Sequence, residues 1–229
     1  MKLPQLDRVP ETISVPAGRS VRGGGSDDRF SNTTELPRGE IVIDKPFQMS
    51  IHPVTIGDWL AYRLDSDRAS LDERLPVTRV SWWDACHYCT WLSRETGEKW
   101  RLPNEDEWEY ACRAGTETPF STGHDLNPEE ANFLYSEHGG RVGVGRLQPV
   151  GSYPPNAFGL HDMHGNVSEW TADHWRPSYE DDAPIDETLR VVRSGGWDLL
   201  PRLLRSSRRD CLPPDTRRDE LGFRIVLDE

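Results

Sequence analysis

Apolar and polar residues alternate in two short stretches near the start of the chain. The alternation covers residues 13–18 and 40–44, and residues 46–51 are predicted to continue the same sheet after a break. A period of two places successive side chains on opposite faces of an extended backbone. The pattern therefore predicts a small sheet within the first fifty residues, and the glycine-rich residues 23–28 are predicted as a turn or loop.

Three helices are predicted from capping residues. Thr55, Ser81 and Asn104 each precede a predicted helix, because their side-chain oxygens can accept hydrogen bonds from the first free backbone N–H groups. Gly97 and Gly115 are predicted to end the second and third helices, since glycine readily adopts the left-handed backbone that closes a helix. Beyond this point prolines and glycines recur every few residues, so only short strands and loops are predicted.

Composition indicates one domain with much irregular backbone. The chain has 229 residues, with 19 Gly, 18 Pro and an apolar fraction of 35%, and we treat residues 1–229 as a single domain. A net charge of −12 argues against nucleic acid or an anionic membrane as a partner. There is no run of about 18 apolar residues and no apolar secretion signal, so we expect a cytoplasmic protein.

Four cysteines are present, and two of them form a Cys-x-x-Cys pair at Cys86 and Cys89. The pair suggests a redox or zinc site, but it lies inside a predicted helix and no second pair has metal-site spacing. We interpret all four, including Cys112 and Cys211, as reduced structural thiols.

Three motifs in order carry a resemblance over about residues 15–226. They are Arg-Leu-Pro-Asn-Glu-Asp-Glu-Trp-Glu-Tyr-Ala at 101–111, Gly-Leu-His-Asp-Met-His-Gly-Asn-Val-Ser-Glu-Trp at 159–170, and Arg-Ser-Gly-Gly-Trp at 193–197 followed by Leu-Gly-Phe-Arg at 221–224. Together they resemble the formylglycine-generating enzyme, or sulfatase-modifying factor, family. The resemblance implies an α+β, C-type-lectin-like fold, with two or three helices around small antiparallel sheets and much irregular loop.

The chain lacks the two active-site cysteines that the resemblance would lead one to expect. Oxidases of that family carry two active-site cysteines shortly after the Gly-Gly-aromatic turn, whereas no cysteine lies between Gly196 and Asp210. The matching stretch, residues 198–204, offers aspartate, leucine, proline and arginine, which cannot replace the thiolates that hold Cu(I). We therefore expect neither bound copper nor formylglycine-generating activity.

Calcium is the metal that the sequence favours, in a structural role. Asp162 and Glu169 flank a tight Gly-Asn turn, and carboxylate and carbonyl oxygens suit Ca²⁺. The resemblance implies ligation by the side chains of Asp162 and Glu169 and by the carbonyls of Gly165 and Val167. The alternative is a polar turn whose two carboxylates are satisfied by backbone donors.

A second calcium site is implied only by the resemblance. It begins at Asn132 and Phe133, and residues 136–140 offer no clear carboxylate to complete it. An iron site built from the scattered histidines is the less favoured alternative, because iron-dependent relatives take their histidines from an additional helical domain.

The C-terminal segment 197–218 is the predicted recognition surface for a protein or small-molecule ligand. Nine arginines and five acids lie between Arg190 and Arg224, and leucines are interleaved with them. Apolar residues edged with arginine are typical of a binding surface. The predicted ligand-binding residues are Trp197, Asp198, Leu199, Leu200, Arg202, Leu204, Arg208, Asp210, Leu212, Thr216 and Arg217. The alternative is that most of these arginines pair with acids of the N-terminal half. The resemblance implies that Arg193, Arg205 and Arg224 belong to the framework of the fold and have a structural role.

Two classes of function follow from the sequence. The first is a binding module on a formylglycine-generating-enzyme-like scaffold, including the variable proteins of diversity-generating retroelements, which diversify the corresponding segment. The second is an enzyme, of oxidoreductase or natural-product-tailoring type, that uses the same cleft without the cysteine pair. Asp198, Asp210 and His174 are its candidate acid–base groups, although nothing in the sequence arranges them as a dyad.

Overall fold

The computed structural model describes residues 8–26, 28–63 and 65–228. The three predicted helices are present, and each begins with a capping box in which the cap and the third helical residue exchange hydrogen bonds. The helices are α1 (Ile56–Tyr62), α2 (Trp82–Thr96) and α3 (Glu105–Arg113). Gly97 closes α2 at φ 78°, as predicted, whereas α3 ends one residue earlier than predicted, at Ala114 with φ 46°.

Ten strands form three sheets in the described part of the chain. The strands are β1 (Thr12–Val15), β2 (Gly18–Arg22), β3 (Gly39–Ile43), β4 (Phe47–Ser50), β5 (Lys99–Arg101), β6 (Ser168–Trp175), β7 (Asp186–Arg193), β8 (Asp210–Leu212), β9 (Leu221–Phe223) and β10 (Val226–Asp228). The sheet orders are β1-β4-β10-β5, β2-β3 and β8-β7-β6-β9. The last strand lies between β4 and β5, so the C-terminal end of the chain completes the first sheet.

Two strand predictions need correction. Residues 13–18 were expected to form one strand, but the backbone leaves β1 after Val15 and begins β2 at Gly18 in a different sheet. Beyond residue 115 only short strands were expected, yet β6 and β7 each span eight residues and pair antiparallel. Register shifts after Trp170 and around His174 interrupt the alternation of this pair, which explains why the sequence pattern did not reveal it.

Aromatic side chains and buried ion pairs fill the interior together. One apolar cluster surrounds Trp59, Tyr88 and Phe223, and a second surrounds Trp108 and Met49. Between and beside them lie arginines that are almost fully buried and paired with carboxylates. These pairs are Arg113 and Arg193 with Glu109, Arg193 and Arg209 with Glu105, Arg205 with Asp28 and Glu35, and Arg224 with Glu169.

The pairs explain how a chain with a low apolar fraction fills its core. Arg193 and Arg205 pair with acids of the N-terminal half, Glu109 and Glu35, whereas Arg224 pairs with Glu169 of the C-terminal half. Within the described residues, no helix has both the length and the apolar character needed to cross a bilayer.

Candidate functional site

The C-terminal segment leaves the end of β7 through a tight turn at Ser194 and Gly195. Both residues have left-handed backbones, with φ of 71° and 106°. A Cβ on Gly195 would lie 2.5 Å from Leu204 Cδ2 and 2.8 Å from the carbonyl oxygen of Leu203, so only glycine fits this close approach. The segment then forms a short 3₁₀ helix at Pro201–Leu203 and returns as β8.

The predicted recognition surface does not form one continuous face. Leu204, predicted on it, is instead fully buried in a cluster with Phe120, Leu126 and Phe133. Trp197, Leu199 and Leu200 are half-buried, and Asp198 is exposed. The rest of the segment divides between two pockets and the start of α2.

Leu199, Arg208 and Asp210 meet around a small cavity beside the turn. Its volume is about 90 Å³, and Ser168 and Ser194 also line it. The resemblance places the family's cysteine pair in this region, where residues 198–204 offer aspartate, leucine, proline and arginine instead. A space of this size holds a few waters and cannot enclose an organic substrate.

A larger pocket of about 400 Å³ lies on the other part of the segment, where Pro201 and Arg202 form one wall. We call it the aromatic pocket. Its apolar lining consists of Phe30, Pro119, Phe120, Leu126, Pro128, Phe133, Val142 and Pro201. The volume falls in the range of small-molecule sites, which are usually apolar with a few polar groups at fixed positions.

Charged side chains at the aromatic pocket are mostly paired. Arg202 bonds to Glu137 through its backbone N–H and through Nη1 at 3.4 Å, and its guanidinium lies 5.7 Å from the ring centre of Phe30. The exposed Arg29 stacks on the same ring at 4.6 Å. Guanidinium groups can themselves stack on planar groups, so Arg29 and Arg202 offer flat, positively charged surfaces beside the aromatic lining.

The end of the C-terminal segment packs against the start of α2, which is distant from it in sequence. The backbone N–H of Trp82 donates to the carbonyl of Pro214, and the half-exposed Arg217 pairs with Asp84. Leu212 packs against the first apolar cluster, and Thr216 is half-buried in the adjoining turn. These residues are therefore separate from those that line the aromatic pocket.

The proposed acid–base groups are not brought together. Asp210 lines the small cavity and lies 3.4 Å from Arg208, while Asp198 is exposed. His174 lies on β6 and lines a third, polar groove of about 870 Å³. Nothing in the geometry of these three residues forms a dyad.

The polar groove holds an acid with a perturbed pKa, Asp173. Burial, followed by the nearby charge of Glu105, raises the pKa of Asp173 to about 6. Its Oδ2 accepts the backbone N–H of Glu105 at 2.6 Å. Because the folded-state pKa is the higher one, this group stabilises the fold at low pH, and that contribution is lost as the pH rises through about 6.

We expect Asp173→Asn to stabilise the protein by about 1–2 kcal/mol at pH 8 and to have little effect at pH 4. The amide keeps an oxygen for the N–H of Glu105 but removes the buried charge. Urea unfolding at several pH values measures the difference, with the exposed Asp181→Asn as control. A difference that does not change with pH would contradict the assignment.

At the first predicted calcium site, Glu169 is already engaged. It is fully buried, and its carboxylate accepts Arg224 Nε at 2.7 Å, Arg224 Nη2 at 2.9 Å and Trp108 Nε1 at 2.7 Å. Arg224 thus neutralises the charge that a cation would use. Asp162 lies in a left-handed turn at φ 57°, accepts the N–H of Gly151 at 3.0 Å, and has a pKa raised chiefly by burial. The Gly165 carbonyl accepts the N–H of Val167 at 2.8 Å.

At the second predicted calcium site, the Asn132 side chain offers a free oxygen. Its Nδ2 donates to the carbonyl of Arg146 and to Asn166 Oδ1, both at 3.0 Å, while its Oδ1 is buried without a donor. Phe133 beside it is buried in the small apolar cluster. Among the described residues, no group of three or more His, Cys, Asp or Glu side chains could hold a metal. Calcium therefore remains a prediction at both sites.

The four cysteines are free thiols, and none of them has a lowered pKa that would activate it as a nucleophile. Burial raises the pKa of Cys86 to about 11 and that of Cys112 to about 12, and it also raises the pKa of Cys89 and Cys211. A thiol with a raised pKa is a poor nucleophile near neutral pH.

Comparison with known protein families shows which family the chain belongs to. Residues 1–229 match the sulfatase-modifying factor enzyme 1-like domain, so the chain belongs to this family. It is 34% identical to the formylglycine-generating enzyme of Mus musculus over 170 residues, which is 67% of the chain and 44% of that protein. The chain thus matches less than half the length of this curated relative.

Solved structures agree on the fold. PvdO from Pseudomonas aeruginosa superposes with a TM-score of 0.86 at 32% identity, covering 96% of the chain and 95% of PvdO. Variable protein 1 of Treponema denticola superposes with a TM-score of 0.77 at 20% identity, covering 95% of each chain, which shows a shared fold alone. The α+β, C-type-lectin-like fold is confirmed, and diversification of residues 197–218 remains a prediction.

Proposed function

We propose that this chain is a ligand-binding domain on a formylglycine-generating-enzyme-like scaffold, and that it binds a small aromatic molecule in the aromatic pocket. The observation that carries the proposal is the pocket itself. It has about 400 Å³ of space, aromatic walls, and arginines stacked over Phe30. This volume accommodates a compact organic molecule, whereas the cavity at the family's cysteine positions has only about 90 Å³.

The pocket joins part of the C-terminal segment to two other regions of the chain. Pro201 and Arg202 supply one wall, residues 28–30 a second, and residues 119–142 the rest. Arg205 connects the first two walls through buried bonds to Glu35 and to the carbonyl of Phe30. A framework held in this way keeps the pocket formed before a ligand arrives, which lowers the entropic cost of binding.

The absence of cysteines from residues 197–210 supports a function other than copper-dependent oxidation. Cu(I) in such a site depends on soft thiolate ligands. Leucine and arginine side chains at these positions supply no equivalent donor. A binding role requires only the shape and polarity that the aromatic pocket provides.

Saturation-transfer NMR with a collection of small aromatic compounds tests the proposal. We expect Val142→Trp to weaken binding of the compounds found by about tenfold or more, because a side chain that lines the pocket would then fill it. Val144→Trp is the matched control, since Val144 lies two residues away, is similarly exposed and is not part of the pocket lining. Equal binding by both variants would contradict the proposal.

We also propose that calcium stabilises the loops around Asp162 and Asn132, as the family resemblance implies. The unpaired Asn132 Oδ1 and the buried Asp162 support an oxygen-rich site, while the pairing of Glu169 with Arg224 argues for a weak one.

Calcium is expected to raise the melting temperature of the wild-type protein by about 3–5 °C over EDTA. Asp162→Ala removes a ligand of the first site and Asn132→Ala removes one of the second, so the calcium-dependent rise in melting temperature should be smaller in each variant than in the wild type. The exposed Asp182→Ala should keep the full rise. Glu169→Ala is unsuitable, because it would also leave Arg224 unpaired. A wild-type melting temperature that calcium does not change would overturn the proposal.

A further inference from the structure

Two charged side chains of the aromatic pocket have no charged partner among the described residues. Arg29 and Asp125 both line the pocket, and both are exposed. Within the described part of the chain neither forms a salt bridge or a hydrogen bond, with the other or with any third residue, and Arg29 contacts only the ring of Phe30. A ligand in the pocket can therefore reach both charges without breaking an existing pair.

The other charged side chains of the lining are already paired. Arg205 bonds to Asp28 and to Glu35, which lies behind the wall, and Arg202 bonds to Glu137. With the two exposed groups included, the lining holds three arginines and three acids. The net charge of the lining therefore favours neither a purely anionic nor a purely cationic ligand.

Each of the two unpaired charges lies beside an apolar part of the pocket. The Arg29 guanidinium is 4.6 Å from the ring centre of Phe30. Asp125 directly precedes Leu126, which is buried in the small apolar cluster that lines the pocket. His124 on the other side of Asp125 is exposed and counts as neutral at pH 7. A ring held in the apolar interior thus leaves the polar end of its ligand near one positive and one negative group.

We propose that the aromatic pocket binds an aromatic α-amino acid, with the ring in the apolar interior, the carboxylate bound to Arg29 and the ammonium bound to Asp125. Such a molecule carries one charge of each sign on the same carbon, so it pairs with both groups and leaves the balance of the lining unchanged. Hydrogen bonds between charged groups are the stronger ones, and a guanidinium can hold a carboxylate through two of them. This ligand class rests on the proposed function, because it uses the same pocket.

Three probes that share one ring separate the contributions of the two charges. They are L-phenylalanine, phenethylamine, which lacks the carboxylate, and 3-phenylpropionate, which lacks the ammonium. Ligand-observed NMR titrations of the whole chain at pH 7 give a Kd for each. Phenylalanine is expected to bind about tenfold more tightly than either analogue, because each analogue lacks one charge-assisted hydrogen bond.

Two variants should change these affinities in opposite ways. Arg29→Gln is expected to bring phenylalanine and phenethylamine to about the same Kd, while phenylalanine keeps its advantage over 3-phenylpropionate. Asp125→Asn is expected to do the reverse. Both positions are exposed, so neither change disturbs the core. Arg94→Gln and Asp181→Asn, which are exposed and outside the lining, are the matched controls and should change neither ratio.

A variant that merely damaged the pocket would weaken all three probes together and would leave both ratios unchanged. The proposal is overturned by that result, by ratios that change alike in the two variants, or by a phenylalanine Kd no lower than those of the analogues. If other aromatic compounds still bind and Val142→Trp blocks them, only the ligand class is wrong. If no aromatic compound binds at all, the proposed function fails with it.

Discussion

Glu109→Ala is expected to destabilise the protein by about 3–5 kcal/mol. Glu109 is fully buried on α3, and its Oε1 accepts Arg113 Nη2 at 2.8 Å and the backbone N–H of Gly23 at 2.8 Å. Its Oε2 accepts Arg193 Nη2 at 2.8 Å. Removing the carboxylate leaves two buried guanidinium groups short of an anion, and this uncompensated charge dominates the cost.

The pKa of Glu109 supports this expectation. Burial alone would raise it, but the charges of Arg193 and Arg113 outweigh burial and hold the pKa below its usual value. The carboxylate is therefore ionised in the folded protein at neutral pH, as the ion pairs require. A neutral acid at this position would have made the substitution far less costly.

Urea unfolding at pH 7 measures the loss caused by Glu109→Ala. The matched control is Glu40→Ala, which breaks an exposed pair with Arg19 and should cost less than about 1 kcal/mol. Similar losses in the two variants would show that the buried network contributes no more than a surface pair, contrary to the structure described.

Arg205→Leu is the second change with a large expected effect, again about 3–5 kcal/mol. Arg205 Nη1 and Nη2 each bond to Glu35 at 2.7 Å, and Nη2 also donates to the carbonyl of Phe30 at 3.0 Å. The substitution leaves Glu35, which is fully buried, and Asp28, which is 8% exposed, without their cation. Because these bonds hold the Phe30 wall, we expect ligand binding to be lost as well.

Two measurements separate the effects of Arg205→Leu. Urea unfolding reports the stability, and saturation-transfer NMR at a temperature where the variant is still folded reports the pocket. Arg208→Leu is the control, since Arg208 is half-buried and lies 3.4 Å from the exposed Asp210. Full binding by a folded Arg205→Leu variant would contradict the role given to this arginine.

The sequence predicted the helices well, because their signals are local. Thr55, Ser81 and Asn104 each lie within three residues of the acid that completes the capping box. The long strands β6 and β7 were missed, because the register shifts near His174 break their alternation. The place of β10 between β4 and β5 depends on contacts across the whole chain, which no local pattern contains.

The candidate site was predictable only in part. The segment 197–218 does contribute Pro201 and Arg202 to the aromatic pocket, but the opposite walls come from residues 28–30 and 119–142. The glycine-rich residues 23–28 were interpreted only as a turn or loop, and nothing in the sequence signals that Phe30 and Phe120 line the same pocket. The sequence could not show that Leu204 is buried while the neighbouring leucines are partly exposed, because its burial depends on the close approach of Gly195.

The most direct test of ligand binding at the aromatic pocket is a crystal structure of the protein with a compound identified by the NMR screen. The proposed function predicts electron density for the compound between Phe30, Phe133 and Arg202, and no such density in Val142→Trp. Density for the compound only at another surface, with this pocket empty in the wild-type protein, would contradict the proposed function.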